Sequence, residues 1–509
     1  MSDLSLFEIR REKLEKMRAL GCDPFSVERF DFTESAQSLM DNFEEGKRVT
    51  FAGRVVSSRV MGKASFAHLS DGDAKIQGYF RKDVLGDNDW EIYQLIDLGD
   101  HLGVEGSLFI TKTGEKSIHV DKITPLSKAF HNIPVTYYGL SDSDTRLRHR
   151  HLDLIANPDS RAMLVNRCKI VSAVRRYLDG LGYLEVETPL LQIEAGGAAA
   201  TPFKTHYNNY EMDVKLRISL ELYLKRLICG DLPKVYEVGR VFRNEKVSNR
   251  HNPEFTLLEF YQAYINLEQV MEIVEEMFRQ VAIEVFGTAV VDVAERELNG
   301  AIRPAYRLDF SQPWARVDML TAIVEQIAPY ASLTVEDLRS LETAKAALGP
   351  NPIVNPKTDK RVNPAEENQL GGLIEKLLEV FVEPILLQPT FVVGYPLETS
   401  PLAKKDPNNA GFTRRFEGYV MGREVCNAFS EINDPIDQRE RFEGQLKARA
   451  MGDDEAHPMD EDFLYALECG MPPTGGCGIG LDRMAMLLTG ADTIREVLLF
   501  PFMKPTESI

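Results

Sequence analysis

The stretch FRNEKVSNRHNPEFTLLEFYQAY, Phe242 to Tyr264, decides the fold class, because it reads as a β-hairpin carrying charge on one face. FRNE closes one strand, KVSNRHNP supplies the turn, and EFTLLEFYQAY begins the return strand. Side chains alternate along a strand, so Arg243 and Glu245 are expected to share a face, as are Phe255, Leu257, Glu259 and Tyr261. Arginine, phenylalanine, two carboxylates and a tyrosine are costly to bury together unless they hold a polar ligand. Arg250 and His251 in the turn favour a nucleotide, with arginine on phosphate and phenylalanine on the base. A solvated outer face is the competing reading.

Toward the C-terminus, RRFEGYVMGREVCNAFSEIND (Arg414 to Asp434) reads as a second hairpin. A two-residue turn at Met421-Gly422 would set Tyr419 opposite Glu424 and Glu417 opposite Cys426. Glu417 and Glu424 then lie diagonally on one face, where they should repel unless one is protonated or a cation lies between them. Magnesium with phosphate suits such a pair, since it binds through one or two carboxylates plus substrate oxygens; two exposed glutamates are the plainer alternative. The run GGCGIGLDRMAMLL (Gly475 to Leu488) reads as a glycine-rich run opening a helix, with Arg483 at the helix start to meet phosphate. It is neither a P-loop, lacking Gly-Lys-Ser/Thr, nor a dinucleotide fingerprint, lacking the strand–helix–strand setting.

Toward the N-terminus, a helix over Asn166–Leu181 leads into a strand, YLEVETPLL, interrupted by Pro189. A turn at Gly196–Ala200 and a helix at Leu220–Cys229 follow. Beyond the hairpin come a helical pair within Leu267–Phe286, a helical insertion with an exposed loop near Asn351–Pro364, and β-rich sequence from Thr390 to Ile432. Upstream, residues 47–126 hold five short strand patterns. Turns fall at Asp71-Gly72-Asp73 and Lys112-Thr113-Gly114, and a helix-like stretch, Asp89–Leu98, follows the third strand. That order is the pattern of an OB-type barrel, which serves as an oligonucleotide platform or as a structural module. The expected class is α+β, an N-terminal OB-fold barrel followed by an antiparallel sheet flanked by helices. The expected divisions are a helical extension (1–46), the barrel (47–130), a linker (131–150) and the large domain (151–509), with its insertion at about 317–381.

Bulk properties narrow the function classes. A chain of 509 residues exceeds one ordinary core, and 44% hydrophobic with 27% charged residues is a globular composition. No apolar run could span a bilayer, and Met1–Phe30 has no signal-peptide core, so a cytoplasmic location is expected. Six scattered cysteines and nine dispersed histidines give neither a disulfide framework nor zinc spacing. The net charge of −19 argues against nonspecific nucleic-acid binding. Two basic runs stand out locally. Lys47, Arg48, Arg54, Arg59 and Lys63 occur without an acidic residue between Gly46 and Ser70, and Arg146, Arg148, His149, Arg150 and His151 form a second knot.

In that order and spacing, ETPLL with Pro189, FRNE through HNPEF, and GIGLDR resemble the three motifs of class II aminoacyl-tRNA synthetases. The OB-like domain in front resembles the subclass charging lysine, aspartate and asparagine. GGAAATPF, LELYLKRL, LLEFYQAY and CNAFSEIND look like the lysyl-tRNA synthetase family. The resemblance implies an ATP- and magnesium-dependent homodimer that activates L-lysine as an adenylate and transfers it to the 3′ end of tRNA(Lys). By similarity, Gly197, Glu221, Arg243, Glu259, Tyr261, Asn427 and Glu431 would line the lysine site. Arg243, Glu245, His251, Phe255, Glu424 and Arg483 would bind ATP, with Arg243 and Arg483 catalytic, and Glu417 and Glu424 would hold magnesium. In the barrel, Phe66 would stack on an anticodon base, with Arg59, Gln77 and Glu115 around it.

The charges agree with lysine, since an ammonium needs anionic partners and an aspartate pocket would need the reverse. A protein-modifying paralogue without the barrel, a degenerate tRNA-binding relative and asparaginyl or aspartyl specificity are the rival readings. Ser219-Leu220 stands where Ala-Pro is frequent, Lys246 where glycine is frequent, and Cys426 where glycine or alanine is usual, so that Cys426 would narrow the pocket. A regular strand would put Glu424 and Asn427 on opposite faces, yet the resemblance gathers Glu424, Asn427 and Glu431 around one pocket. A β-bulge or bend between Val425 and Phe429 is therefore expected.

Overall fold

Alternating buried positions along the first strand pattern, from Val49 to Val55, pack inward and close a barrel. The computed structural model describes residues 5–133, 140, 142–298, 301–450 and 457–505, and they form two compact units, 1–161 and 162–509.

In the first unit the barrel strands are β1 (Arg48–Met61), β2 (Ala64–Ser70), β3 (Lys75–Arg81), β4 (His101–Ile110) and β5 (Lys116–Ser127), ordered β1-β2-β3-β5-β4. Phe51, Leu69, Phe80, Leu102 and Ile118 fill its interior. A helix, α1 (Leu6–Ala19), precedes the barrel, and its N-terminus is closed by a capping box between Ser5 and Glu8. The helix after β3, α2, runs from Lys82 to Gln94 rather than over Asp89–Leu98, and is kinked at Gly86, whose φ of +81° lies outside the helical range. Of the expected linker, 134–139 and 141 lie outside the described residues. Its second half is helical, over Ser143–Arg148 and from Arg150 to Ala156.

The second unit is built on an eight-stranded sheet. Its strands are β6 (Leu184–Glu185), β7 (Lys234–Phe242), β8 (Glu254–Ala263), β9 (Ala315–Asp318), β10 (Thr390–Val393), β11 (Arg415–Val420), β12 (Arg423–Ser430) and β13 (Thr474–Gly480). The order is β9-β10-β11-β12-β13-β8-β7-β6, antiparallel except for the two edge pairs. One face packs on the helix Leu267–Phe286 and the helix Leu481–Thr489, burying Leu258, Phe260, Cys426, Ala428, Cys477 and Ile479.

Several expectations are corrected here. Leu267–Phe286 is one helix, not a pair, opened by an Asn266/Gln269 capping box and stopped by Gly287 at φ +78°. The helix leading into the first motif begins at Pro158 rather than Asn166. Pro189 cannot donate to a ladder, and YLEVETPLL keeps only the two-residue strands Leu184–Glu185 and Leu191–Gln192. The glycine run is strand β13, and the helix it opens starts directly after it at Leu481. The insertion holds helices at Met319–Ile327, Leu341–Leu348 and Leu370–Leu377. Its expected exposed loop contains a small ladder between Ile353–Val354 and Arg361–Val362, with Asn355 and Val362 buried.

Candidate active site

Strand register gathers the site on the face of the sheet opposite the helices. Cross-strand partners run Glu259–Gly478–Asn427–Glu417 in one row and Tyr261–Gly476–Phe429–Arg415 in the next. Partners opposite each other share a face, so the three glycines Gly476, Gly478 and Gly480 fall on that side. A Cβ on Gly476 would sit 2.2 Å from Glu431 Oε1 and 2.4 Å from the Tyr261 ring, so only glycine lets those groups meet. A cavity of about 860 Å³ opens above this glycine floor. Among the residues lining it are Gly197, Glu221, Arg243, Glu245, His251, Phe255, Glu259, Tyr261, Glu417, Glu424, Asn427, Glu431 and Arg483.

The expected bulge is present at the start of its interval. Gly418 pairs with Cys426 and Tyr419 with Glu424, leaving Val425 as the extra residue. The shift brings Glu424 onto the face of Asn427 and, by alternation, of Glu431. It also corrects one pairing, since Glu417 stands opposite Asn427 rather than Cys426. Cys426 consequently faces the helices and is buried in the core, where it cannot narrow the cavity. Met421 and Gly422 form the turn with φ of +53° and +63°. Arg243 and Glu245 lie just beyond the end of β7 instead of sharing a strand face, and both still reach the cavity wall.

One end of the cavity is anionic. Glu221, Glu259 and Glu431 are 6%, 4% and 1% exposed, a depth at which carboxylates need partners. Glu259 accepts from Leu220 N–H at 3.0 Å and from Tyr261 Oη at 2.8 Å. Burial, reinforced by Glu221, lifts the Glu259 carboxyl to about 8. The donor from Leu220 is one that a proline in its place could not supply. Gly197 has φ +86°, and a Cβ there would meet Ser219 Oγ at 2.0 Å, so the turn beside Glu221 requires glycine.

Lys225, not singled out from the sequence, lies fully buried one turn along from Glu221. Its Nζ is 2.5 Å from Glu221 Oε1 and paired with Glu431. A Glu at i and Lys at i+4 is an ordinary surface pattern, so only the rings of Phe429 and Phe463, at 5.2 and 5.8 Å, reveal its burial.

The other end is cationic. Arg243 stacks on Phe255 at 5.2 Å, donates to the Ile218 carbonyl at 3.3 Å, and has no carboxylate within 4.0 Å among the described residues. Burial lowers its pKa, as it does that of His251. Arg483 donates to Glu424 Oε2 at 2.9 Å and lies 3.4 Å from His251 Nε2. Glu417 receives Arg415 at 2.6 Å, Tyr419 Oη at 2.6 Å and Tyr395 Oη at 2.9 Å. The repulsion expected between Glu417 and Glu424 is thus met by an arginine on each. Among the described residues no cluster of three or more His, Cys, Asp or Glu forms a metal cage. The Glu424 side chain, 39% exposed, remains accessible from the cavity.

In the first unit, Phe66 stacks on Tyr79 at 4.6 Å, while Arg59 lies directly opposite Phe66 on β1. Gln77 donates to Glu115 at 2.8 Å, and His68 contacts the other Glu115 oxygen at 2.8 Å. Tyr79 continues the ring patch to His119 and Phe109. Tyr79 and His68 were legible by alternation from Gln77 and Phe66; His119 was not, because it joins through a parallel pairing with β5. Much of the basic charge is internally matched: Lys47 pairs with Glu34 and Arg48 with Asp121. Arg146 and Arg150 bind Asp153, and Arg148 binds Asp144.

The family model for tRNA synthetases class II (D, K and N) matches residues 142–504, and that for the OB-fold nucleic acid binding domain matches 49–126. A barrel joined to an antiparallel sheet with this cavity therefore belongs to the class II tRNA synthetases. A lysine–tRNA ligase of Thermoanaerobacter sp. (strain X514) is 48% identical over 98% of this chain and 96% of its own length. Those of Bacillus subtilis (strain 168) and Enterococcus faecalis are each 46% identical, over 98% and 97% of this chain and 97% of their own lengths. The chain belongs to the lysine–tRNA ligase family, a family of ligases. Among the described residues no helix is long and apolar enough to cross a membrane.

Proposed function

We propose that the cavity binds L-lysine at its anionic end and ATP at its cationic end, forms lysyl-adenylate with release of pyrophosphate, and passes lysine to the 3′ end of tRNA(Lys). The observation that carries this reading is one cavity holding three buried carboxyls and an arginine, Arg243, that has no carboxylate within 4.0 Å among the described residues. A half-buried arginine with no carboxylate at ion-pair distance among the described residues can take an anion, and the carboxylate of lysine and the α-phosphate of ATP both supply one. Glu221, Glu259, Tyr261, Asn427 and Glu431 surround the side-chain ammonium, and Gly197 leaves room beside them.

Catalysis needs no enzyme nucleophile. The lysine carboxylate attacks the α-phosphorus in line, and Arg243 and Arg483 offset the charge that develops there. Phe255 stacks on the base, while Glu245 and His251 fix the nucleotide from the motif-two turn. Glu417 and Glu424 fit magnesium only together with phosphate oxygens, in keeping with its preference for few protein ligands. Bound there, the ion supplies charge neutralisation and orientation of the phosphates.

The barrel, 47–130, reads the anticodon through Phe66, Arg59, Gln77 and Glu115, and 151–509 holds the chemistry. The protein works in the cytoplasm as a homodimer. Leu184, Leu190, Leu191 and Ile193 expose a run of apolar surface along the first motif that supports such an interface.

Paired kinetics test the assignment. Glu431→Gln should raise the lysine KM about tenfold or more, the cost of one charge-assisted hydrogen bond, with the ATP KM unchanged. Glu424→Gln should instead impair the ATP-dependent step and raise the magnesium requirement. Effects that came out reversed would refute the division of the cavity.

A further inference from the structure

We propose that Lys225 is a built-in counter-ion that fixes the placement and charge of the pocket carboxylates, and thereby sets how strongly the cavity takes a cationic side chain. This rests on the reading of the cavity as the lysine site. Lys225 does not line the cavity, whereas Glu221 and Glu431, the two groups it binds, do. It acts through them, as a positioning residue.

The groups facing it come from several elements. Glu221 lies on its own helix, Glu431 just beyond β12, and Glu259 and Tyr261 on β8. Arg415 of β11 acts on Glu221, and the buried His457 is held neutral by burial and by Lys225. Phe429 and Phe463 flank the ammonium and take the place of water. Three carboxyls face one resident cation, so that on ionising they exceed it in charge, and a second ammonium, brought by the substrate, can answer the excess. Burial alone would drive these carboxyls to take up protons. A neutral carboxyl no longer attracts the substrate, and the Lys225 ammonium works against that proton uptake at all three carboxyls.

A double-mutant cycle tests this, with lysine KM as the readout and ATP KM as a control in the full-length enzyme. Lys225→Met should raise the lysine KM about tenfold or more while the ATP KM stays within about twofold. In the Glu431→Gln background, where one carboxylate has already gone, the same change should matter less than about threefold. A packing role would give the same factor in both backgrounds, and that result overturns the proposal. So does a folded Lys225→Met enzyme with wild-type lysine KM. If Lys225→Met alone does not fold, the double variant is compared with Glu431→Gln; near-equal lysine KM supports the proposal and a tenfold rise overturns it. A lysine KM unchanged by Glu431→Gln alone is a separate failure, that of the lysine site itself.

Discussion

Burial next to Glu221 raises the Glu259 carboxyl to about 8, so at neutral pH this group holds a proton. A raised carboxyl is neutral below its pKa and ionised above it, and only the ionised form attracts an ammonium. The lysine KM should therefore fall as pH rises from 7 through about 8. Glu259→Gln should flatten that step. Exchange kinetics at saturating ATP across this range measure it, and an unchanged step in Glu259→Gln would contradict the assignment. At this scale the sequence showed Glu259 on the charged face of its hairpin, while Glu221 and Glu431 came through the family resemblance of LELYLKRL and CNAFSEIND. It hid Lys225, because the same i, i+4 pair is commonplace on helix surfaces and the enclosing rings come from Phe429 and Phe463, far along the chain.

Elements convert these residues into a site. The bulge at Val425 was legible because alternation alone could not bring Glu424, Asn427 and Glu431 together, although the cross-strand partner of Glu417 moved by one residue as a result. The glycine run was read as opening a helix, but its being a strand was not legible. Glycine carries no strand signal, and the reason for it lies in Glu431 and Tyr261, which fill the space a Cβ would need. In the barrel, Phe66 turns one ring face to Tyr79 and can offer the other to a base. Phe66→Ala should cost about 1–3 kcal/mol of tRNA binding, seen as weakened charging with pyrophosphate exchange nearly intact. An equal loss in both assays would mean that the barrel does not serve the anticodon.

At the scale of the whole molecule, the proposed function gives the two compact units two tasks, reading tRNA and activating an amino acid. The helix after Pro158 and the apolar residues from Leu184 to Ile193 belong to the proposed dimer face. Light scattering at micromolar concentration should give twice the chain mass, and a fully active monomer would remove that claim. The central claim concerns the cavity, anionic at one end and cationic at the other. ATP–pyrophosphate exchange with each of the twenty amino acids tests it most directly. The account predicts exchange driven by lysine far above any other amino acid, abolished by Arg243→Ala. Exchange driven by aspartate or asparagine, or none with lysine, would contradict it.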